Sequence, residues 1–163
     1  MDKQLLSKEA IDALTFRINS EEFSSRLYHD MSLWFEDKGY INLAKLYAKY
    51  SDEEMKHAGF SKDFLLSYNL KPVLKPLQSP EAEYKDCADI LDATLSHEIQ
   101  ITNECQDLSK GALKRGEMTL FALGQKYCAE QVEELKKSYD LVNIYKLTSC
   151  PLLFDQYIGE NFI

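Results

Sequence analysis

Six residues in two matched sets carry the chemistry open to this chain. The first set is Glu21, Glu54 and His57; the second is Glu98, Gln131 and Glu134. Glu54 follows Glu21 by 33 positions, and Gln131 follows Glu98 by 33 positions. In each set the last two residues stand three apart, in Glu54-Met55-Lys56-His57 and Gln131-Val132-Glu133-Glu134. Residues i and i+3 of a helix share a face, so each pair can direct two donor atoms at one point. The ligand candidates interrupt otherwise apolar helical stripes. A carboxylate there is costly unless a charge is bound beside it. A pair of metal ions meets that need most simply. Oxygen donors with one imidazole suit iron or manganese, and not a structural zinc, which favours Cys and His.

The ordinary explanation of one buried Glu is a salt bridge or a helix end. For the whole set no Arg or Lys pattern supplies that explanation. Lys56 and Lys126 are close in sequence but turned to other faces. A second acidic set, Glu53, Glu130, Glu133 and Glu134, lies beside the first. It reads as a site for a third ion or as a solvated acidic face. Tyr28 follows Glu21 by two helical turns on one side. Its phenol can hydrogen-bond a ligand or give an electron, or serve as a core Tyr with a satisfied hydroxyl. His29 and His97 have no partner pattern. His97 is rotated about 100° from Glu98 and is expected at the surface.

These residues need long helices to position them. Only 6 Gly and 4 Pro punctuate 163 residues, and every Pro falls outside the periodic stretches. Ser7 caps a first helix running to about Asp37, striped by Phe23, Leu27, Tyr28, Met31, Trp34 and Phe35. Lys38-Gly39 stops it. A second helix runs from about Asn42 to Tyr68. The stretch from Asn69 to Tyr84 contains Pro72, Pro76 and Pro80 and is too long for a helix–helix turn. It can instead cross the length of a bundle. A third helix spans about Lys85 to Lys114 and ends at Arg115-Gly116, with basic residues in its last turn. A fourth spans about Glu117 to Leu147. The tail from Pro151 can form a short fifth helix. The expectation is one all-α domain over 1–163, with a four-helix bundle over about 7–147, one long crossover, and a short C-terminal helix over about 151–162.

Composition narrows the partners. The net charge of −8 disfavours nucleic acid and anionic membranes. No apolar run approaches the roughly 18 residues of a membrane span. The start, MDKQLLSKEAID, has no apolar core of signal-peptide length. Cys87, Cys105, Cys128 and Cys150 form no C-x-x-C pair and read as free thiols in a reducing cytoplasm.

Together the motifs resemble the non-haem ferritins of bacterial type, in the ferritin-like di-iron superfamily. The resemblance is carried by E-E-F-S-S-R-L-Y at 21–28, D-E-E-M-K-H at 52–57, S-H-E-I-Q at 96–100 and A-E-Q-V-E-E at 129–134. It covers about Leu14 to Tyr145. It implies a 24-subunit hollow shell that stores iron as ferric mineral. It also implies a ferroxidase centre that oxidises Fe(II) with dioxygen or peroxide. By position, Glu21, Glu54 and His57 would bind the first iron, with Glu54 bridging. Glu98 and, more loosely, Gln131 would serve the second. Glu53, Glu130, Glu133 and Glu134 match the family's third site, and Tyr28 its tyrosine beside the centre. The departures are Cys150-Pro151, where a Gly-containing turn is expected, and Lys126, where an aromatic is common.

Other readings stand beside this one. Bacterioferritin binds haem through a Met placed like Met55, but it needs a second E-x-x-H, where this chain has E-Q-V-E-E. Met55 is read as an apolar interface residue and no haem is expected. Rubrerythrin-like peroxidases need the same second motif. DNA-protecting mini-ferritins build their site between subunits. A catalytically idle shell subunit is the alternative of a different class.

Overall fold

The computed structural model describes residues 5–80 and 83–163. Five helices follow in order: α1 (Lys8–Asp37), α2 (Ile41–Ser67), α3 (Cys87–Arg115), α4 (Met118–Thr148) and α5 (Pro151–Asn161). No strand occurs among the described residues. The helix ends fall within about two residues of those read from the sequence.

Local chemistry explains most ends. Ser7 Oγ accepts the Ala10 amide at 3.0 Å and starts α1. Gly39, at φ +86°, turns the chain into α2. Asp86 caps α3 by accepting the Asp89 amide at 3.0 Å, and Gly116 closes it at φ +72°. At the α4 to α5 corner, Ser149 takes the left-handed conformation at φ 50°. It supplies the turn for which a Gly was expected, and Pro151 then opens α5 at its first position.

α1 pairs chiefly with α2, and α3 with α4. Two apolar clusters fill the bundle. One contains Leu27 to Phe35 of α1, Leu43 to Tyr50 of α2, Cys87 to Leu91 of α3, and Leu141 and Val142 of α4. The other contains Ala10 to Ile18 of α1, Leu65 of α2, Ile101 to Ala112 of α3, and Leu120 and Tyr127 of α4. α1 and α4 thus run from the second cluster to the first, and α2 and α3 run from the first to the second. Two consecutive helices that run the same way require a connection as long as the bundle. α2, at 27 residues, is about 40 Å long. The crossover starts beside Tyr68 in the second cluster and ends beside Tyr84 in the first. Midway it rests on α1, where Asn19 Nδ2 donates to the Pro76 carbonyl at 3.2 Å.

α5 closes the end of the bundle. Phe154 and Ile158 join the first cluster. Asp155 accepts the Leu43 amide at 2.8 Å and the Asn42 side chain at 3.2 Å. α2 has no side-chain cap of its own at Tyr40, so Asp155 of α5 meets an amide that the helix leaves unpaired.

Candidate metal centre

Between the two apolar clusters every bundle helix turns polar on its inner face: at Glu21 of α1, Glu54 and His57 of α2, Glu98 of α3, and Gln131 and Glu134 of α4. All six are buried. The fold therefore brings both matched sets into one layer at mid-bundle.

Two groups of donor atoms form there, each with its atoms within 4.8 Å of one another: Glu21, Glu54 and His57, and Glu54, Glu98 and Glu134. Glu54 belongs to both. His57 Nδ1 lies 3.4 Å from Glu54 Oε2 and 3.9 Å from Glu21 Oε2. Gln131 lies beside the second group. Its Nε2 donates to Glu98 Oε2 at 2.9 Å and to Thr102 Oγ1 at 3.3 Å. The Tyr28 hydroxyl donates to Glu98 Oε1. Its ring packs edge-on against Tyr47 and Tyr50, with centroids 6.0 and 6.2 Å away. The Tyr50 hydroxyl, on α2 one turn before Glu54, is buried with no hydrogen-bond partner among the described residues.

Crowding of acids away from water shows in their proton affinities. Burial pushes the Glu54 carboxyl up to about 8 and Glu98 to about 7, and neighbouring carboxylates add to the shift. Glu134 is raised, first by burial. Glu21 is raised well above the usual range by burial, against the opposing pull of Arg17. Among the described residues neither buried Glu21 oxygen accepts an aligned hydrogen bond, although Arg17 stands beside Oε1. Such acceptors are costly, and a bound cation is what would satisfy them. The donor set thus fits hard or borderline metal ions.

Two cations contradict the expectation that no basic residue addresses the site. Arg17, 1% exposed, sits one turn before Glu21, with Nε 2.9 Å from Glu21 Oε1. The contact is one of charge, since its N–H is not aimed along a hydrogen bond. Its Nη1 donates to Glu104 at 3.0 Å. The i, i+4 spacing of Arg17 and Glu21 was the available signal. The other cation is Lys137, which contacts Glu134 and Glu53. Lys56 and Lys126 do point elsewhere; Lys126 Nζ lies 3.7 Å from the centre of the Phe60 ring, a cation–π contact.

The second acidic set is divided. Glu53 and Glu134 share Lys137. Glu130 Oε2 lies 3.7 Å from His57 Nε2, and Glu133 is exposed. His97 is a further correction. It is not a surface residue but lies half-buried between α1 and α3, where Ser24 Oγ meets its Nε2 at 2.7 Å. Burial lowers it to about 4, so it is neutral at pH 7. The four cysteines are free thiols, Cys87 and Cys105 buried. No helix among the described residues is long and apolar enough to cross a membrane.

Comparison with known proteins gives a consistent result. The model of the ferritin-like domain family matches residues 11–147. A probable bacterial non-heme ferritin-like protein of Haemophilus influenzae is 30% identical over 132 residues, 81% of this chain and 80% of the relative. A bacterial non-heme ferritin of Escherichia coli O6:H1 is 31% identical over 132 residues, with the same two coverages. Among solved structures, an open pore ferritin from the archaeon Archaeoglobus fulgidus superposes with a TM-score of 0.89 at 25% identity, covering 94% of this chain and 96% of that one. A four-helix bundle with one long crossover, a buried carboxylate layer and these relatives lead to one assignment: the chain belongs to the ferritin-like family.

Proposed function

We propose that the chain takes up Fe(II) as its substrate at a two-ion centre within one subunit, oxidises it, and stores the ferric product inside a shell of 24 copies in the cytoplasm. The observation that carries this is the pair of buried donor groups sharing Glu54. Glu21 and His57 would complete the first position. Glu98 and Glu134 would complete the second, with Gln131 holding Glu98 in place. The names of the bacterial relatives support iron storage, and the free thiols support a reducing compartment.

The chemistry follows from charge. Each Fe(II) gives up one electron. Dioxygen or peroxide takes up the pair together with two protons. Anionic oxygen donors stabilise Fe(III) more than Fe(II), so the carboxylate layer favours oxidation. Deprotonated carboxylates are the ligands, so iron entry releases the protons held there by burial. Tyr28 stands next to Glu98 as a hydrogen-bond donor and as a candidate electron donor.

The test mixes metal-stripped protein with Fe(II) in air and follows the ferric absorbance. Oxidation above the buffer rate, lost in His57→Ala and Glu98→Ala, supports the reading. A rate equal to buffer would leave an idle shell subunit. Size-exclusion chromatography with metal analysis checks the shell, and a Soret band would point to a haem-binding protein instead.

A further inference from the structure

The outer edge of the centre contains a cation that belongs to the chain. Lys137 lies on α4, three residues after Glu134. Its Nζ is 3.1 Å from Glu134 Oε1 and 3.1 Å from Glu53 Oε2. It also lies 5.5 Å from the centre of the Tyr50 ring, and its side chain is one-third exposed, at 34%. Lys49 Nζ stands 3.9 Å from the other Glu53 oxygen. The ammonium therefore occupies the point where carboxylates of α2 and α4 converge, which is where a metal would have to sit to use both. Glu130 faces His57 rather than this point, and Glu133 is exposed.

We propose that Lys137 is a built-in counter-cation that takes the place of a third metal ion and limits the centre to two. This rests on the two-metal reading given above. The physical reason is competition for the same oxygens. A metal ion entering between Glu53 and Glu134 must break two charge-assisted hydrogen bonds. It must also sit close to the displaced ammonium, because Lys137 is anchored one turn away on the same helix. Glu54 and Glu98, at the heart of the inner pair, have no Lys or Arg ion pair among the described residues, and of the inner carboxylates Arg17 meets only Glu21, without an aligned hydrogen bond.

Zinc(II), which is redox-inert, is the probe. Metal-stripped, assembled protein is titrated by calorimetry, and zinc-soaked crystals are read by anomalous diffraction so that only ions on these carboxylates are counted. Wild type should hold two ions per subunit. Lys137→Met should hold three, the third between Glu53 and Glu134, and Lys137→Arg should hold two. Circular dichroism confirms that each variant is folded. A third ion beside Glu53 in wild type, or only two ions in folded Lys137→Met, overturns the assignment of Lys137 while leaving the two-metal centre intact. A wild-type centre that binds no zinc, or an ion count unchanged in Glu21→Ala, overturns the two-metal reading itself.

Discussion

Replacing Arg17 with Met keeps the volume and removes the charge. The guanidinium is buried beside Glu21, which is itself fully buried, and it also holds Glu104. Truncating one partner of a buried ion pair leaves the other charged without a partner or drives it to take up a proton, at a cost of up to about 3–5 kcal/mol. Glu104 retains Ser20 Oγ at 2.7 Å and Gln100 Nε2 at 3.1 Å, so the loss falls mainly on Glu21. For a chain of this size 1 kcal/mol moves the midpoint by about 2–4 °C, so the metal-free variant should melt about 6–20 °C lower. Divalent ions should recover much of this, because a bound cation gives Glu21 back an opposite charge. Arg17→Met with Glu21→Gln should likewise be far more stable than Arg17→Met alone. The assay is thermal unfolding by circular dichroism at fixed subunit concentration, with chelator and then with Zn(II). A loss below about 1 kcal/mol with chelator, or the same loss in both conditions, refutes the argument that Arg17 neutralises Glu21.

Two further outcomes follow from the same geometry. Burial raises Glu54 to about 8 and Glu98 to about 7 from an ordinary value of 4.5. Between about pH 4.5 and 8 the folded, metal-free chain therefore holds more protons than the unfolded one, and its stability should fall as pH rises. Urea unfolding at pH 5.5 and 8.5 should show a drop of a few kcal/mol, a tenfold change in proton affinity being worth about 1.4 kcal/mol, and a flat or rising profile would contradict the burial argument. Gly124→Ala should cost about 1–3 kcal/mol by overpacking, because its Cβ would lie 2.4 Å from Ser109 Oγ and 3.0 Å from Ser109 Cα where α3 meets α4. Gly59→Ala is the control, since nothing lies within 4 Å of its Cβ. Equal melting points for the two variants would refute the close approach of α3 and α4 at Gly124.

The four long helices and the crossover were legible because their signals are local. Ser7, Gly39 and Gly116 act within one turn of themselves, and three prolines mark the connection. The ligand candidates were legible because a polar residue in an apolar stripe stands out within its own helix. Arg17 was harder to place. Its spacing to Glu21 also fits an exposed i, i+4 pair, and nothing in the sequence says that both residues face inward. His97 was misplaced for a related reason. Rotation about α3 moves it away from Glu98, but α1 lies on that side and covers it with Phe23, Ser24 and Tyr28.

The sequence alone determined the helical periods, their ends, and which residues interrupt the apolar stripes, because those depend on neighbours within a turn or two of backbone. Only the tertiary structure decided which interruptions meet. It put Glu54 in two donor groups, joined Gln131 to Glu98 by a hydrogen bond, and brought Lys137 between Glu53 and Glu134. It also brought Asp155 to Leu43 at the start of α2, 112 residues away in sequence. Such contacts depend on the packing of separate helices and on their rotation, and a one-dimensional pattern carries neither.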